Sequence, residues 1–322
     1  MTWLLTGGAG YIGAHVLRSL QASGRGVVVV DDLSTGLESK IPAGVPLVRC
    51  DVRDREALVL TMREHEVQGV VHLAAKKAVG ESVEQPLRYY RENTDGALAL
   101  GEAMIEAGVR RIVYSSSAAV YGSPDVDLVT EDAPTVPMSP YGETKLTGEW
   151  VFRDLATSEG FAVVALRYFN VAGAASDDLG DVAAFNLIPM VLRAHTNGER
   201  PKIFGDDYPT PDGTCVRDYI HVADLADAHV AAADVVADGE RRFTPVNIAR
   251  GRGSSVREVV DSVSRAIGVA LEPDVVERRA GDPAFLVASA DRAREVLGWT
   301  ASHDLDAMTA SAWSAWQASP GC

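Results

Sequence analysis

Trp3-Leu4-Leu5-Thr6-Gly7-Gly8-Ala9-Gly10-Tyr11-Ile12-Gly13 decides the fold. The short apolar run ending at Thr6 reads as a strand, and a helix over 11–22 follows the glycines directly. Glycines at 7, 10 and 13 permit a tight turn, close approach of backbone to a pyrophosphate, and close packing of helix on strand. The helix start then offers free N–H groups and a positive dipole end to the phosphates. Such a triplet alone also occurs in ordinary turns. Here the strand before it and the helix after it supply the context that the chemistry requires.

Outward from that turn, strand and helix alternate. Residues 27–31 form a second strand of the buried kind, apolar without alternation. Further strands are expected over 46–50, 69–73, 111–115 and 162–166, with helices over 53–65, 86–107 and 139–158. Ser139-Pro140 starts the last of these, serine as cap and proline in the first turn. The alternation predicts an α/β fold of the Rossmann type, a doubly wound parallel sheet with helices on both faces. After about residue 172 the rhythm breaks, and more proline, glycine and isolated charge predict a second, smaller lobe. Residues 245–249 read as one more strand, returning to the main sheet. The expected division is 1–172 with 217–250 for the cofactor domain, and 173–216 with 251–322 for the substrate lobe.

Asp31 closes the second strand, where a carboxylate accepts from the adenosine ribose hydroxyls. It would repel a 2′-phosphate, and Asp32 adds to that repulsion. No arginine occurs in 31–38 to receive such a phosphate, so NAD is favoured over NADP.

A formal net charge of −15 over 322 residues argues against a nucleic-acid partner. Any anionic substrate must then be held by locally placed arginine and lysine. Cys50, Cys215 and Cys322 have no metal-like spacing, and no metal site is expected. No stretch is long and apolar enough to span a membrane, and the opening residues leave no room for an export signal. A cytoplasmic location is the expectation.

Tyr141 and Lys145 lie four apart on one helix and share a face. A phenol is a poor base at neutral pH, and a nearby ammonium together with a positive nicotinamide would lower its pKa. By itself the pair is equally well a surface pair. It gains weight from Tyr114-Ser115-Ser116-Ser117-Ala118-Ala119-Val120-Tyr121-Gly122, which follows a strand of the sheet, where ligands bind. Ser117 is read as sharing a proton with Tyr141, and Ser115 and Ser116 as bonding their local turn.

Together the glycine turn, the serine run and the YxxxK helix resemble the extended short-chain dehydrogenase/reductase family. Three segments narrow the resemblance to its UDP-glucose 4-epimerase branch: 72–82 (HLAAKKAVGES), 166–174 (LRYFNVAGA) and 213–226 (GTCVRDYIHVADLA). It extends from Thr6 to about Trp299. The resemblance implies NAD as cofactor and inversion at C4 of UDP-glucose or UDP-galactose through a 4-keto sugar, with Tyr141 as base. By it, Tyr11 and Ile12 flank the pyrophosphate, Asp31 takes the ribose, and Asp51 and Val52 lie at the adenine. Leu73, Ala74, Ala75 and Lys77 line the far side of the cofactor, with Asn93 nearby and Phe169 beside the nicotinamide. Lys77, Ser117, Ala118 and Ala119 face the sugar, while Asn170, Asn186 and Leu187 contact the sugar nucleotide. Lys202, Ile203 and Phe204 would pass along the uracil, Arg217 and Arg279 would clamp the diphosphate, and Asp282 would accept from the uridine ribose. Read from the residues alone, Arg217 followed by Asp218 is equally a salt-bridged turn, and the Arg278-Arg279 pair a solvated basic patch.

The chain departs from the branch in places. Ala119 stands where relatives carry threonine, and Glu92 where they often carry asparagine. Leu286 falls where a residue walls the sugar pocket, so plain hexoses are expected as best substrates, with weaker turnover of N-acetylated ones. Helices over 86–107 and 139–158 resemble the pair that builds a homodimer in relatives. Two other functions stand beside this one. A 4,6-dehydratase or decarboxylase would want an added acid–base pair where Ala118-Ala119 stands. A non-catalytic NAD sensor would typically lack the tyrosine or the lysine.

Overall fold

The computed structural model describes residues 1–181, 183, 186–240, 242–279 and 282–319. Cys322 lies outside them. A seven-stranded parallel sheet carries the order Phe243–Ile248, Ala162–Tyr168, Arg111–Ser115, Val67–His72, Thr2–Thr6, Gly26–Asp31, Leu47–Arg49. The first strand sits inside the sheet, and the chain winds outward from it in both directions. Strand order therefore reverses between Thr2–Thr6 and Val67–His72, and a crevice opens beyond the carboxyl ends of that pair.

The strands read as continuous apolar runs because both faces are covered. On one face Trp3, Leu5, Val27 and Val29 meet Leu17 and Leu20 of the helix Tyr11–Ala22 and Ala228 and Ala232 of Val222–Ala237. On the other, Leu4, Val28, Val70 and Ile112 meet Leu58, Leu100 and Phe152, from helices Arg55–Glu64, Asp95–Ala107 and Pro140–Ser158.

Two expectations need correction. The helix over 86–107 is not continuous: Tyr90–Thr94 is a turn of π-helix between Pro86–Tyr89 and Asp95–Ala107. Within that turn the buried Asn93 side chain bonds the backbone of Lys76. Strand Val216–His221, expected with the cofactor domain, pairs instead with Asn170–Ala172, Gly253–Ser255 and Phe285–Leu286 in a separate small sheet. Behind that sheet, Val191, Val260, Val263, Met308 and Trp316 build a core of their own. Among the described residues no helix is long and apolar enough to cross a membrane.

Candidate active site

The crevice is built by the ends of two neighbouring strands. The Thr6 hydroxyl meets Nδ1 of His72 at 2.7 Å and accepts from the Ala74 N–H at 3.3 Å. Those bonds fix Leu73, Ala74 and Ala75 opposite the glycine turn. Within the turn the glycines differ. A Cβ at Gly13 would stand 2.0 Å from the Gly7 carbonyl oxygen, so packing alone forbids a side chain there. At Gly10 the nearest atom to such a Cβ is 3.3 Å away, and φ is an ordinary −74°. Nothing severe in the protein excludes a side chain at Gly10, which leaves a cradle at a helix N-terminus that a Cβ would fill and a phosphate oxygen fits.

Asp31 is buried, and its carboxylate accepts from the Ala9 and Leu33 N–H groups, both at 2.9 Å. It braces the glycine turn while keeping lone pairs for a ribose. Burial raises its pKa, and the two backbone donors oppose that. Asp32 is exposed and accepts from Ser34 N. Asp51 is half-buried beside Val52, its pKa lowered chiefly by the bond from Arg53. Ile12 is half-buried, whereas the Tyr11 ring is buried and its hydroxyl donates to Gly173 O at 2.6 Å, tying the turn to the second lobe. The Lys77 ammonium stands 6.0 Å from the Tyr11 ring centroid. Asn93 is a correction: its amide is spent on Lys76 backbone and the Thr144 hydroxyl, so it braces the loop that carries the lysines.

The Ser139 side chain caps the Gly142 N–H and Pro140 occupies the first turn, which starts the helix one residue before Tyr141. Tyr141 and Lys145 are both buried on it. Lys145 Nζ donates to the Ser115 carbonyl at 2.8 Å. Burial lowers its pKa to about 8, which leaves the ammonium mostly intact at neutral pH. Ser117 is the side chain that acts on the Tyr141 hydroxyl, favouring its charged form. The expected downward shift of the phenol is not what the protein alone provides: burial raises the Tyr141 pKa, and only the bond with Ser117 lowers it. Desolvating a phenolate outweighs one hydroxyl donor, so a further positive charge is needed to poise the base.

Ser115 and Ser116 do not bond their local turn. Ser115 Oγ meets Nε2 of His229 at 3.0 Å, while Ser116 donates to the Glu149 carboxylate. Glu149 is gripped in turn by Arg167, which also reaches the Tyr121 hydroxyl at 2.9 Å. Sequence reasoning missed this network because no local pattern relates residues 116, 149 and 167. A buried glutamate in register with Tyr141 and Lys145 was the available signal.

On the substrate side, the smaller sheet gathers residues that are distant in sequence. Arg217 and Asp282 form an ion pair at 2.9 Å, so the two groups expected at the diphosphate and the ribose touch each other. The Arg279 guanidinium lies 3.8 Å from the Phe204 ring centroid, joining the expected diphosphate and uracil groups in one stack. Leu286 pairs in register with Arg217 and packs on the cluster containing Ala118 and Phe169. Ala119 is half-buried at the end of the serine run, its N–H donating to Ser117 Oγ at 3.2 Å. Asn170 is exposed on the strand beside Tyr219, whose hydroxyl it bonds. Asn186 is exposed and donates to Asp181 at 2.9 Å, and Leu187 opens the next helix half-buried. Lys202 is exposed, but the Ile203 side chain is fully buried. Ile203 can therefore meet a base only through its backbone.

Residues 3–249 match the family described as NAD dependent epimerase/dehydratase. A UDP-glucose 4-epimerase of Azospirillum brasilense is 49% identical over 98% of this chain and 92% of its own. The Stenotrophomonas maltophila UDP-glucose-4-epimerase structure with bound NAD and formylated UDP-arabinopyranose superposes with TM-score 0.95 at 42% identity, covering 99% of this chain and 98% of that one. The Brucella ovis UDP-glucose 4-epimerase in complex with NAD gives 0.93 at 41% identity, over 97% of each chain. With its glycine turn, the buried Asp31 carboxylate and a buried Tyr141–Lys145 pair, the chain belongs to the NAD dependent epimerase/dehydratase family.

Proposed function

We infer that this chain is a UDP-glucose 4-epimerase, interconverting UDP-glucose and UDP-galactose through a transient 4-keto sugar with NAD as cofactor. The observation that carries this is the buried Tyr141 with Ser117 acting on its hydroxyl and the buried Lys145 one turn along the same helix, beyond the carboxyl end of strand Arg111–Ser115. Gly10 leaves room for a pyrophosphate and Asp31 presents a carboxylate to a ribose, so these residues fit the cofactor. NAD, when bound, supplies a hydride acceptor at C4, a donor in the return step, and a positive charge near the phenol.

The chain's own residues handle proton and orientation. Tyr141 takes the C4 hydroxyl proton, and Ser117 hydrogen-bonds the same oxygen and steadies the phenolate. Lys145, held by the Ser115 carbonyl, adds positive charge close by. Return of hydride to the opposite face requires the 4-keto ring to turn over, so the nucleotide must provide the anchoring. We assign that to Arg217, Asp282, Arg279 and Phe204, which the smaller sheet and its neighbouring strands bring together, with Leu286 walling the sugar. Residues 1–172 with 222–250 are assigned to the cofactor and 173–221 with 251–322 to the sugar nucleotide, strand Val216–His221 going with the smaller sheet.

A homodimer and a cytoplasmic setting complete the proposal. Leu87, Tyr90, Leu98 and Trp150 are exposed on the helices expected to pair, an apolar face that a second copy would cover. Cys50 and Cys215 are free thiols, as in reducing compartments. Purified protein incubated with UDP-galactose should yield UDP-glucose of unchanged mass. A product lighter by one water would point to a dehydratase, and unchanged substrate would refute the assignment.

A further inference from the structure

Lys76 is not part of the site described above, yet its side chain lies over the adenosine end of the crevice. Its Nζ donates to Ser34 Oγ at 3.1 Å, and Ser34 N is held by Asp32 in the loop that begins with Asp31. It stands 3.4 Å from Glu92 Oε2 on the π-helical turn. The Asp51 carboxylate feels its charge as well. The ammonium thus touches the ribose loop and faces the adenine side, with its side chain only 14% exposed. Its backbone is pinned by Asn93, so the loop has little freedom to carry it elsewhere.

A cation at the end of the second strand is the feature that admits a 2′-phosphate in this type of fold. Here it is present but engaged. Glu92 neutralises it, and Glu92 is itself held by Arg88 Nε at 2.9 Å. Asp31 and Asp32 supply repulsion towards a phosphate, while Glu92 engages Lys76, the cation that touches the ribose loop through Ser34, and Arg53 is taken up by Asp51. We propose that Glu92 is a specificity-determining residue, which keeps Lys76 from serving as a 2′-phosphate receptor and so enforces preference for the unphosphorylated dinucleotide. This rests on the assignment of the crevice to NAD.

The test measures dissociation constants of NAD and NADP on cofactor-stripped protein by calorimetry, for wild type, Glu92→Gln, and Glu92→Gln combined with Lys76→Met. Glutamine preserves shape while removing charge, so Lys76 is released without loss of packing. The NADP-to-NAD ratio of dissociation constants should fall about tenfold in Glu92→Gln, since specificity here is a difference set by a repulsive and an attractive element. The double variant should return to the wild-type ratio. An unchanged ratio in Glu92→Gln would overturn the proposal, as would a gain that survives in the double variant. Loss of NAD binding by the wild-type protein would refute the cofactor assignment itself, a separate outcome.

Discussion

Glu149 and Arg167 form a buried two-pronged ion pair, Nη2 to Oε2 at 2.6 Å and Nε to Oε1 at 2.8 Å. Glu149 lies one turn beyond Lys145 and two beyond Tyr141 on the same helix face. Arg167 belongs to the strand that leads into Phe169 and Asn170. The pair therefore locks the helix that carries Tyr141 and Lys145 to the strand that leads into Phe169 and Asn170. Ser116, also bonded to Glu149, brings in the segment that holds Ser117.

Removing one partner of such a pair strands a buried charge. Glu149→Ala should lower unfolding free energy by about 3–5 kcal/mol, whereas Glu149→Leu with Arg167→Met should lose much less. Urea denaturation of both variants checks this. A single-variant loss below about 1 kcal/mol, the range of exposed ion pairs, would show that the pair is solvated in solution.

Two glycines of the turn should respond oppositely to the same methyl group. Gly13→Ala drives a Cβ to 2.0 Å from the Gly7 carbonyl, so the turn itself must deform and stability must fall. Gly10→Ala has space in the protein and should change stability by less than about 1 kcal/mol. It should still weaken NAD binding by about tenfold or more, because the methyl occupies phosphate space. Thermal melts and NAD titrations of the two variants separate these effects. Undiminished NAD affinity in Gly10→Ala would remove the phosphate from this cradle.

How much was legible follows from the range of the interactions. Glycine spacing, apolar runs and the Ser139-Pro140 start are local signals, and each maps onto a strand end or helix start in the structure. The π-helical turn was not legible: its buried residue, Asn93, bonds a loop seventeen positions away, a contact that no local pattern announces. The boundary at 217 was misplaced for a similar reason: strand Val216–His221 finds its partners on both sides in sequence, at 170–172, 253–255 and 285–286. The roles of Ser115 and Ser116 were misread because their partners, His229 and Glu149, come from distant helices.

Acid should destabilise the fold well above the usual carboxylate range. Burial lowers the pKa of His72 to about 3 and those of His15, His221 and His229 to about 4. With folded values below the unfolded value near ~6.5, the unfolded chain binds more protons between those limits. The stabilisation is thus complete above about pH 6.5 and is lost as pH falls through about 4. Each histidine should contribute on the order of 1–2 kcal/mol of loss by pH 5. Denaturation midpoints from pH 8 to pH 4.5 check it; a flat profile would contradict burial of neutral imidazoles.

Substrate width should depend on Leu286, which packs beside Phe169 and Ala118 and pairs with Arg217. UDP-glucose and UDP-galactose should be turned over best, and UDP-N-acetylglucosamine less well by about 1–3 kcal/mol in kcat/KM. Leu286→Tyr should suppress the N-acetylated activity while sparing the plain hexoses. Equal loss of both in that variant would take Leu286 out of the sugar pocket.

The central claim is that Tyr141 is the base at C4, and Tyr141→Phe tests it most directly because only the phenolic oxygen is removed. The measurement is kcat for UDP-galactose to UDP-glucose at saturating substrate, on protein whose bound NAD has been quantified. The account predicts a fall of about 10²–10⁴-fold with NAD content unchanged. A variant that carries full NAD and keeps more than about a tenth of wild-type turnover would contradict it, since general-base catalysis contributes far more than that.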